Sequence, residues 1–462
     1  MITYSIINKS HLEGNLRLDA EYYQPEFLEN AKKIDQYGFE ELRELSSISI
    51  TKGETPLWRG DDYLDFGGIP FLRSENLILG GLDLSKLVYV SEKVNKRMER
   101  STIFPNDVLI AIVGATIGQT GLTTEEFPQY NCNQAIAIIR PKNQRYSYYL
   151  SIILETKNCQ LQIERLKGGG ARDNLDLHEV RILKIPKPTK KLLDYCFDVL
   201  GMVKNIRRES EEFYQQAENL LLEELKIKDL DLADESGFIV NLSEVKENNR
   251  CDAEYFQPKY KKITEHIKKN CGGAALGELV NIKKGIEPGA EEYQDEGKQF
   301  IRVSSLSKQG ISDSGQKYLS EELYNKLKSD YEPKKGEILL TKDASPGIAY
   351  VLKENVEGII SSGVLRMKAK KDDVESEYLA LCLNSIIGRM QAERDAGGSV
   401  IAHWKPEQIK NIIIPLLSKS SQQKISDLIC QSFEARKKAK ELLEEAKRKV
   451  EEMIERGGEK NG

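Results

Sequence analysis

Histidine is scarce in this chain, four among 462 residues, and the seven cysteines (132, 159, 196, 251, 271, 382 and 430) never fall in Cys-x-x-Cys spacing. A zinc site or a disulfide framework is therefore not expected, and a reducing cytoplasm fits best. No apolar run approaches the ~18 residues of a membrane span, so neither a membrane helix nor a signal peptide is expected. No two of the 14 prolines are adjacent, so the Asn/Asp-Pro-Pro-Tyr signature of an amino-methyltransferase is missing. His-Glu-x-x-His and Gly-x-Ser-x-Gly are missing too. Gly114-Ala-Thr-Ile-Gly118-Gln-Thr-Gly121 has glycines but neither the Lys nor the spacing of a phosphate-binding loop. It reads as a strand-to-strand turn. Two Glu-x-Lys triplets, Glu296 with Lys298 and Glu332 with Lys334, lie outside any clear β run. They do not make a metal-dependent nuclease. No catalytic residue, metal or cofactor is expected; the sequence reads as a binder.

What is there is a repeat. Asp19-Ala-Glu-Tyr-Tyr-Gln-Pro25 returns as Asp252-Ala-Glu-Tyr-Phe-Gln-Pro258, a shift of 233. Further on, Phe71-Leu-Arg73 returns as Phe300-Ile-Arg302 and Gly118 as Gly347. Tyr149-Leu150 returns as Tyr378-Leu379, and Ile185-Pro186 as Ile414-Pro415. A unit of about half the chain is duplicated, far too long for a solenoid repeat. Each half begins with short β-type runs, such as 108–113 and 134–139 in the first and 337–340 and 363–367 in the second. Gly, Pro, Asn and Asp turns break them. Each half ends with a glycine-rich turn, a short strand closed by Pro, and a long helix.

Both helices carry a 3-4 apolar spacing: Cys196, Val199, Val203, Ile206, Ser210, Phe213, Ala217 and Leu220, then Ile425, Leu428, Ser432, Ala435, Ala439, Leu442, Ala446 and Met453, with Lys449 at one seam position. Small residues in both seams predict that the two helices pair, antiparallel, rather than each packing alone on its own domain. Charge is uneven. Residues 141–190 hold ten Lys/Arg against five Asp/Glu, whereas 191–250 hold eight against fourteen. A basic patch beside an acidic helix suits phosphates on one surface and protein partners on another.

Gly53-Glu-Thr-Pro56, Gly67-Gly-Ile-Pro-Phe-Leu-Arg73, Pro105-Asn-Asp-Val-Leu-Ile-Ala111, Gly114-Ala-Thr-Ile-Gly118 and Asn133-Gln134 resemble a target recognition domain of the specificity subunit of type I restriction–modification systems. The closing elements, Gly168–Gly170 to Pro186 and Gly397–Ser399 to Leu416, are similar to that family's domain ends. In the second half Lys342-Asp-Ala-Ser-Pro-Gly347 replaces the Gly-Ala-Thr-Ile-Gly turn. The resemblance implies an α+β chain with a pseudo-twofold repeat: two homologous, β-rich mixed α/β recognition domains (1–190 and 229–419) and two long antiparallel coiled-coil helices (191–228 and 420–458). It further implies a non-catalytic reader of a bipartite, asymmetric double-stranded DNA target in the cytoplasm. Its partners would be methyltransferase subunits, two of them, and restriction subunits, with no membrane. Each domain would read one half-site by base-edge contacts, with phosphate contacts fixing register. The first helix, about 43 Å long at ~1.5 Å per residue, would space half-sites ~34–36 Å apart. The candidate DNA-contacting residues are Lys52, Arg59, Arg73, Ser74, Asn76, Gln119 and Arg172 in the first half. In the second they are Lys284, Arg302, Ser304, Lys342, Ser399 and His403. Two other readings stay open: a self-sufficient restriction or modification enzyme using the same domains, and an adaptor whose coiled coil is the working part.

Overall fold

The computed structural model describes residues 5–9, 12, 18–56, 62–64, 67–84, 87–167, 174–312, 316–370, 374–396 and 403–460. The chain forms two compact units, Met1–Arg207 with Lys437–Gly462, and Arg208–Arg436. The central helix, Lys190–Glu224, and the C-terminal helix, Lys419–Lys460, are each divided between the units whose cores they complete.

In the first unit a four-stranded antiparallel sheet runs in the order Thr51–Lys52, Ile136–Ile139, Val108–Ala111, Thr120–Leu122. Every residue of its two middle strands is buried. Both faces are covered, which is why these strands read as unbroken apolar runs instead of alternating ones. Val108, Ile110, Ala137 and Ile139 pack with Tyr149, Ile153, Val199 and Val203 on the helical side. Leu109, Ala111, Ile136 and Ile138 pack with Leu72, Leu77, Tyr130 and Cys132 on the other. The second sheet runs Asn131–Cys132, Ile69–Leu72, Val88–Val90, Tyr63–Leu64, with its first pair parallel.

The second unit is built the same way. Its main sheet runs Val280–Lys284, Val364–Ala369, Ile338–Thr341, Ala349–Val351, and the smaller one Lys317–Leu319, Lys298–Ile301, Gly358–Ile360. Ile338, Leu340, Leu365 and Met367 face the helices. Leu339 and Val364 pack with Ile301, Leu306 and Ile360. The α+β architecture expected from the sequence, with a duplicated recognition fold and two long helices, is the architecture of the chain.

The closing elements repeat down to single hydrogen bonds. The short strand Lys184–Pro186 pairs with Phe39–Glu41, and Ile413–Pro415 with Gly273–Ala275. Tyr149 Oη donates to the Pro186 carbonyl at 2.5 Å, and Tyr378 Oη to that of Pro415 at 2.9 Å. The Gln162 side chain accepts from Lys184 N (3.0 Å) and donates to Lys184 O (2.9 Å). Gln391 does the same for Ile413 at 2.8 and 3.1 Å.

The long helices lie antiparallel within each unit. In the first, the Lys449 ammonium lies 5.6 Å from the centre of the Tyr195 ring. In the second, Ser210 Oγ donates to Ser432 O at 2.9 Å, both residues being buried. The seam differs from the expected one in phase. After Ser210 the buried positions are Tyr214, Ala217, Leu221 and Leu225, not Phe213 and Leu220. On the C-terminal helix they are Ala439, Leu443, Ala446, Val450 and Ile454, so Leu442, Lys449 and Met453 give way to their neighbours. One extra residue per four turns keeps the stripe closer to ~3.6 residues per turn than to the ~3.5 of a coiled coil's own seam, which suits a helix that must also cover a sheet. Lys449 stands outside the seam, ion-paired with Glu445 at 2.6 Å.

Candidate nucleic-acid interface

In each unit three turns converge at one end of the two sheets. Gly53 begins the first turn. A Cβ there would stand 2.2 Å from the carbonyl oxygens of Cys132 and Asn133, so only glycine admits this approach. Asn133 N in turn donates to Leu72 O at 3.1 Å, next to Arg73, and Ile112 N to Ala135 O at 2.8 Å, next to the turn at 113–118. The second unit matches. A Cβ on Gly285 would meet Ser361 O at 2.1 Å, Ser361 N donates to Ile301 O at 2.9 Å, and Lys342 N to Gly363 O at 2.9 Å. Lys52 and Arg73 are thus brought to one cluster of turns, and Lys284, Arg302 and Lys342 to the corresponding one.

Lys52 and Lys284 end equivalent strands, and both are exposed. Arg73 and Arg302 each sit at the start of a 3-10 turn, Ser74–Asn76 and Val303–Ser305, and both are half-buried. Arg73 pairs with Glu75 at 2.6 Å. Arg302 lies 5.9 Å from the centre of the Tyr293 ring. Ser74 is half-buried and Ser304 exposed on these same turns. Each turn therefore offers a cation and a hydroxyl at a backbone corner, the groups that contact phosphates and base edges.

Three other candidates are committed inward. Asn76 is 2% exposed: its Oδ1 accepts from Arg73 N at 2.8 Å and its Nδ2 donates to Asp83 O at 2.9 Å. Gln119 Nε2 donates to Leu77 O at 2.6 Å. Lys342 is also 2% exposed, its ammonium 2.6 Å from the Asp343 carboxylate. Asp343 is shared, since His403 Nδ1 meets its other oxygen from a mostly exposed ring. Arg59, Arg172 and Ser399 lie outside the described residues.

The turn that differed in sequence keeps a left-handed residue near each end. Gly114 and Gly118 take φ +90° and +89°; Ala344 and Gly347 take +59° and +98° in a turn one residue shorter. One residue escaped the sequence reading. Asn174, exposed, bridges Val113 as His403 bridges Asp343. The shift of 229 that links 174 to 403 was the signal for it. Among the described residues no cluster of His, Cys, Asp or Glu could hold a metal ion, and no helix is long and apolar enough to cross a membrane. Burial pushes the Cys159, Cys196 and Cys382 thiols up to about 12, so they pack as apolar groups.

The fold is thus one sheet-and-helix unit built twice, with three turns gathered at the corresponding end of each copy. The chain belongs to the type I restriction modification DNA specificity domain family, whose model matches residues 35–192 and 273–448. It is 25% identical over 205 residues to the type I restriction enzyme EcoBI specificity subunit of Escherichia coli, covering 42% of this chain and 42% of that protein. Against the EcoKI specificity subunit of Escherichia coli strain K12 it is 21% identical over 146 residues, covering 31% and 30%. The matched stretches thus span less than half the length of these curated relatives. A crystal structure of the S subunit of a type I restriction–modification system from M. genitalium matches 91% of this chain and 95% of its own, at 14% identity and a TM-score of 0.34.

Proposed function

We propose that this chain is a non-catalytic specificity subunit that reads a two-part, asymmetric target in double-stranded DNA. It would position adenine methyltransferase subunits, two of them, and restriction subunits on that target in the cytoplasm. The observation that carries the reading is the equivalence of the two turn clusters. Lys52 and Lys284, and Arg73 and Arg302, occupy the same places in two copies of one fold. The side chains around them differ. Two similar frames bearing different turn residues are what two different half-sites require. In this reading Lys52, Ser74, Arg73, Lys284, Arg302, Ser304 and His403 touch DNA directly, with Asn174 joining them. Asn76, Gln119 and Lys342 hold the turns in shape, and the long helices separate the half-sites. Arg59, Arg172 and Ser399 are proposed as contacts on sequence grounds alone.

The test is sequence enrichment from a pool of random duplexes by the purified full chain. A two-part enriched sequence with dissimilar halves supports the reading. Enrichment of nothing, or of a single block, refutes it. Methylation or cleavage by the chain without partners would refute the non-catalytic part.

A further inference from the structure

The two units differ at one joint, where a β-hairpin meets the long helices. In the first unit the hairpin Leu77–Ile78/Gly81–Leu82 turns through Leu79-Gly80. Arg207 of the central helix reaches this turn with both guanidinium ends. Nη1 donates to Gly80 O at 2.7 Å and Nη2 to Leu79 O at 2.9 Å. Glycines make the room. A Cβ on Gly81 would stand 2.3 Å from Arg207 Nη1, and one on Gly80 2.9 Å from Leu443 Cδ2. Burial lowers the guanidinium pKa to about 10, so this cation has given up water for two carbonyls.

The far end of the same hairpin is the candidate reading turn. Asn76, which closes the 3-10 turn behind Arg73, also donates to Asp83 O just past the hairpin, and Asp83 N donates back to Asn76 O at 2.8 Å. Gln119 holds Leu77 O at 2.6 Å. An unbroken series of hydrogen bonds therefore runs from the central helix through the hairpin to the backbone of Arg73.

The repeat places Arg436 where the first unit has Arg207, and its surroundings differ. Arg436 turns to Glu211 at 3.4 Å and lies 5.8 Å from the centre of the Tyr214 ring. The hairpin Leu306–Ser307/Gly310–Ile311 closes on itself: Ser307 Oγ donates to Gly310 O at 3.1 Å and accepts from Gln309 N at 3.2 Å. A cavity of about 40 Å³, lined by Tyr214, Lys308, Gln309 and Arg436 among others, stands beside it. That is room for a water or two.

We propose that Arg207 is a positioning residue that fixes the first unit's reading turn to the central helix. The proposal rests on the DNA-reading function given above. Arg207 touches no DNA in this scheme; it acts through the carbonyls of Leu79 and Gly80. A change there should blur base preference in one half of the target and spare the other.

The experiment uses the full chain, with sequence enrichment from random duplexes as the readout and a thermal unfolding scan as the control. R207M should lower base preference in one half-site by ~5-fold or more, within the range expected for a single displaced base contact. R207K, which can still donate to a carbonyl, should restore part of it. If R207M does not fold, G81A displaces the guanidinium from the hairpin without altering the helix, and the same half should blur. Folded R207M or G81A with both halves as sharp as wild type overturns the proposal, and so does equal blurring of both. The underlying reading fails separately, if wild type enriches no two-part sequence at all.

Discussion

Arg73 and Arg302 carry the sharpest residue-scale prediction. Each starts a 3-10 turn at the convergence of three turns. If each contacts a base edge, alanine at one should cost ~1–3 kcal/mol and relax preference at one position in one half-site, whereas loss of a phosphate contact would weaken all sequences alike. Binding titrations against the enriched sequence and single-base variants separate the two, and no change in either R73A or R302A would remove these residues from the interface. Gly53 and Gly285 make a second. Their Cβ atoms would overlap backbone oxygens at 2.2 and 2.1 Å, and backbone cannot step aside as a flexible side chain can. G53A and G285A should each destabilise the protein by ~1–3 kcal/mol, read as a lowered unfolding midpoint. The pairs Lys52–Lys284 and Arg73–Arg302 were legible in the sequence because the repeat aligns them. The inward commitment of Asn76 and Lys342 was not. A polar residue in a turn has the same letter whether it points to solvent or caps the turn from within, and only the packing of the turn decides.

Among the secondary-structure elements, the helices show where sequence periodicity stops being informative. The 3-4 spacing correctly marked two long helices with an apolar stripe. It placed Leu442 and Lys449 on the seam, whereas Leu443 and Val450 are the buried ones. At Phe213-Tyr214, Leu220-Leu221 and Leu442-Leu443 two large apolar residues stand side by side, so the pattern fits either phase. The hairpin at Gly80, which rests on Leu443, helps decide it. L443A should therefore cost ~2–5 kcal/mol of stability, and L442A clearly less. A larger loss for L442A would restore the original seam.

A buried carboxylate gives an element-scale pH prediction. Glu155 Oε1 accepts from Thr120 N at 2.5 Å and from Thr120 Oγ1 at 2.9 Å, at the end of the helix Gln144–Ile153. In the second unit Asn384 does this work for Ala349, accepting at 2.9 Å. Burial, partly offset by the Thr120 hydrogen bonds, raises the Glu155 pKa. A carboxyl whose folded pKa lies above its unfolded value favours the fold when protonated. That contribution is present below the ordinary carboxylate range and is lost as pH rises through the raised value. E155Q, neutral like Asn384, should raise the unfolding midpoint relative to wild type at pH 8 and lose that advantage by pH 4. An advantage that does not shrink on acidification would assign the gain to something other than ionisation.

For the molecule as a whole, duplication was the most legible feature, since glycines and aromatic pairs recurred at shifts of 229 to 233. The structure adds that each unit finishes its core with parts of both long helices, which no linear boundary in the sequence could express. Half of the proposed reading surface should therefore be separable by mutation without being separable as a fragment. Position-by-position base preference, read from the DNA enriched by wild type, R73A and R302A in parallel, shows whether the two turn clusters read separate half-sites. A two-part sequence with dissimilar halves is expected, one half relaxed in R73A and only the other in R302A. A single undivided sequence, or the same half relaxed by both substitutions, would contradict this.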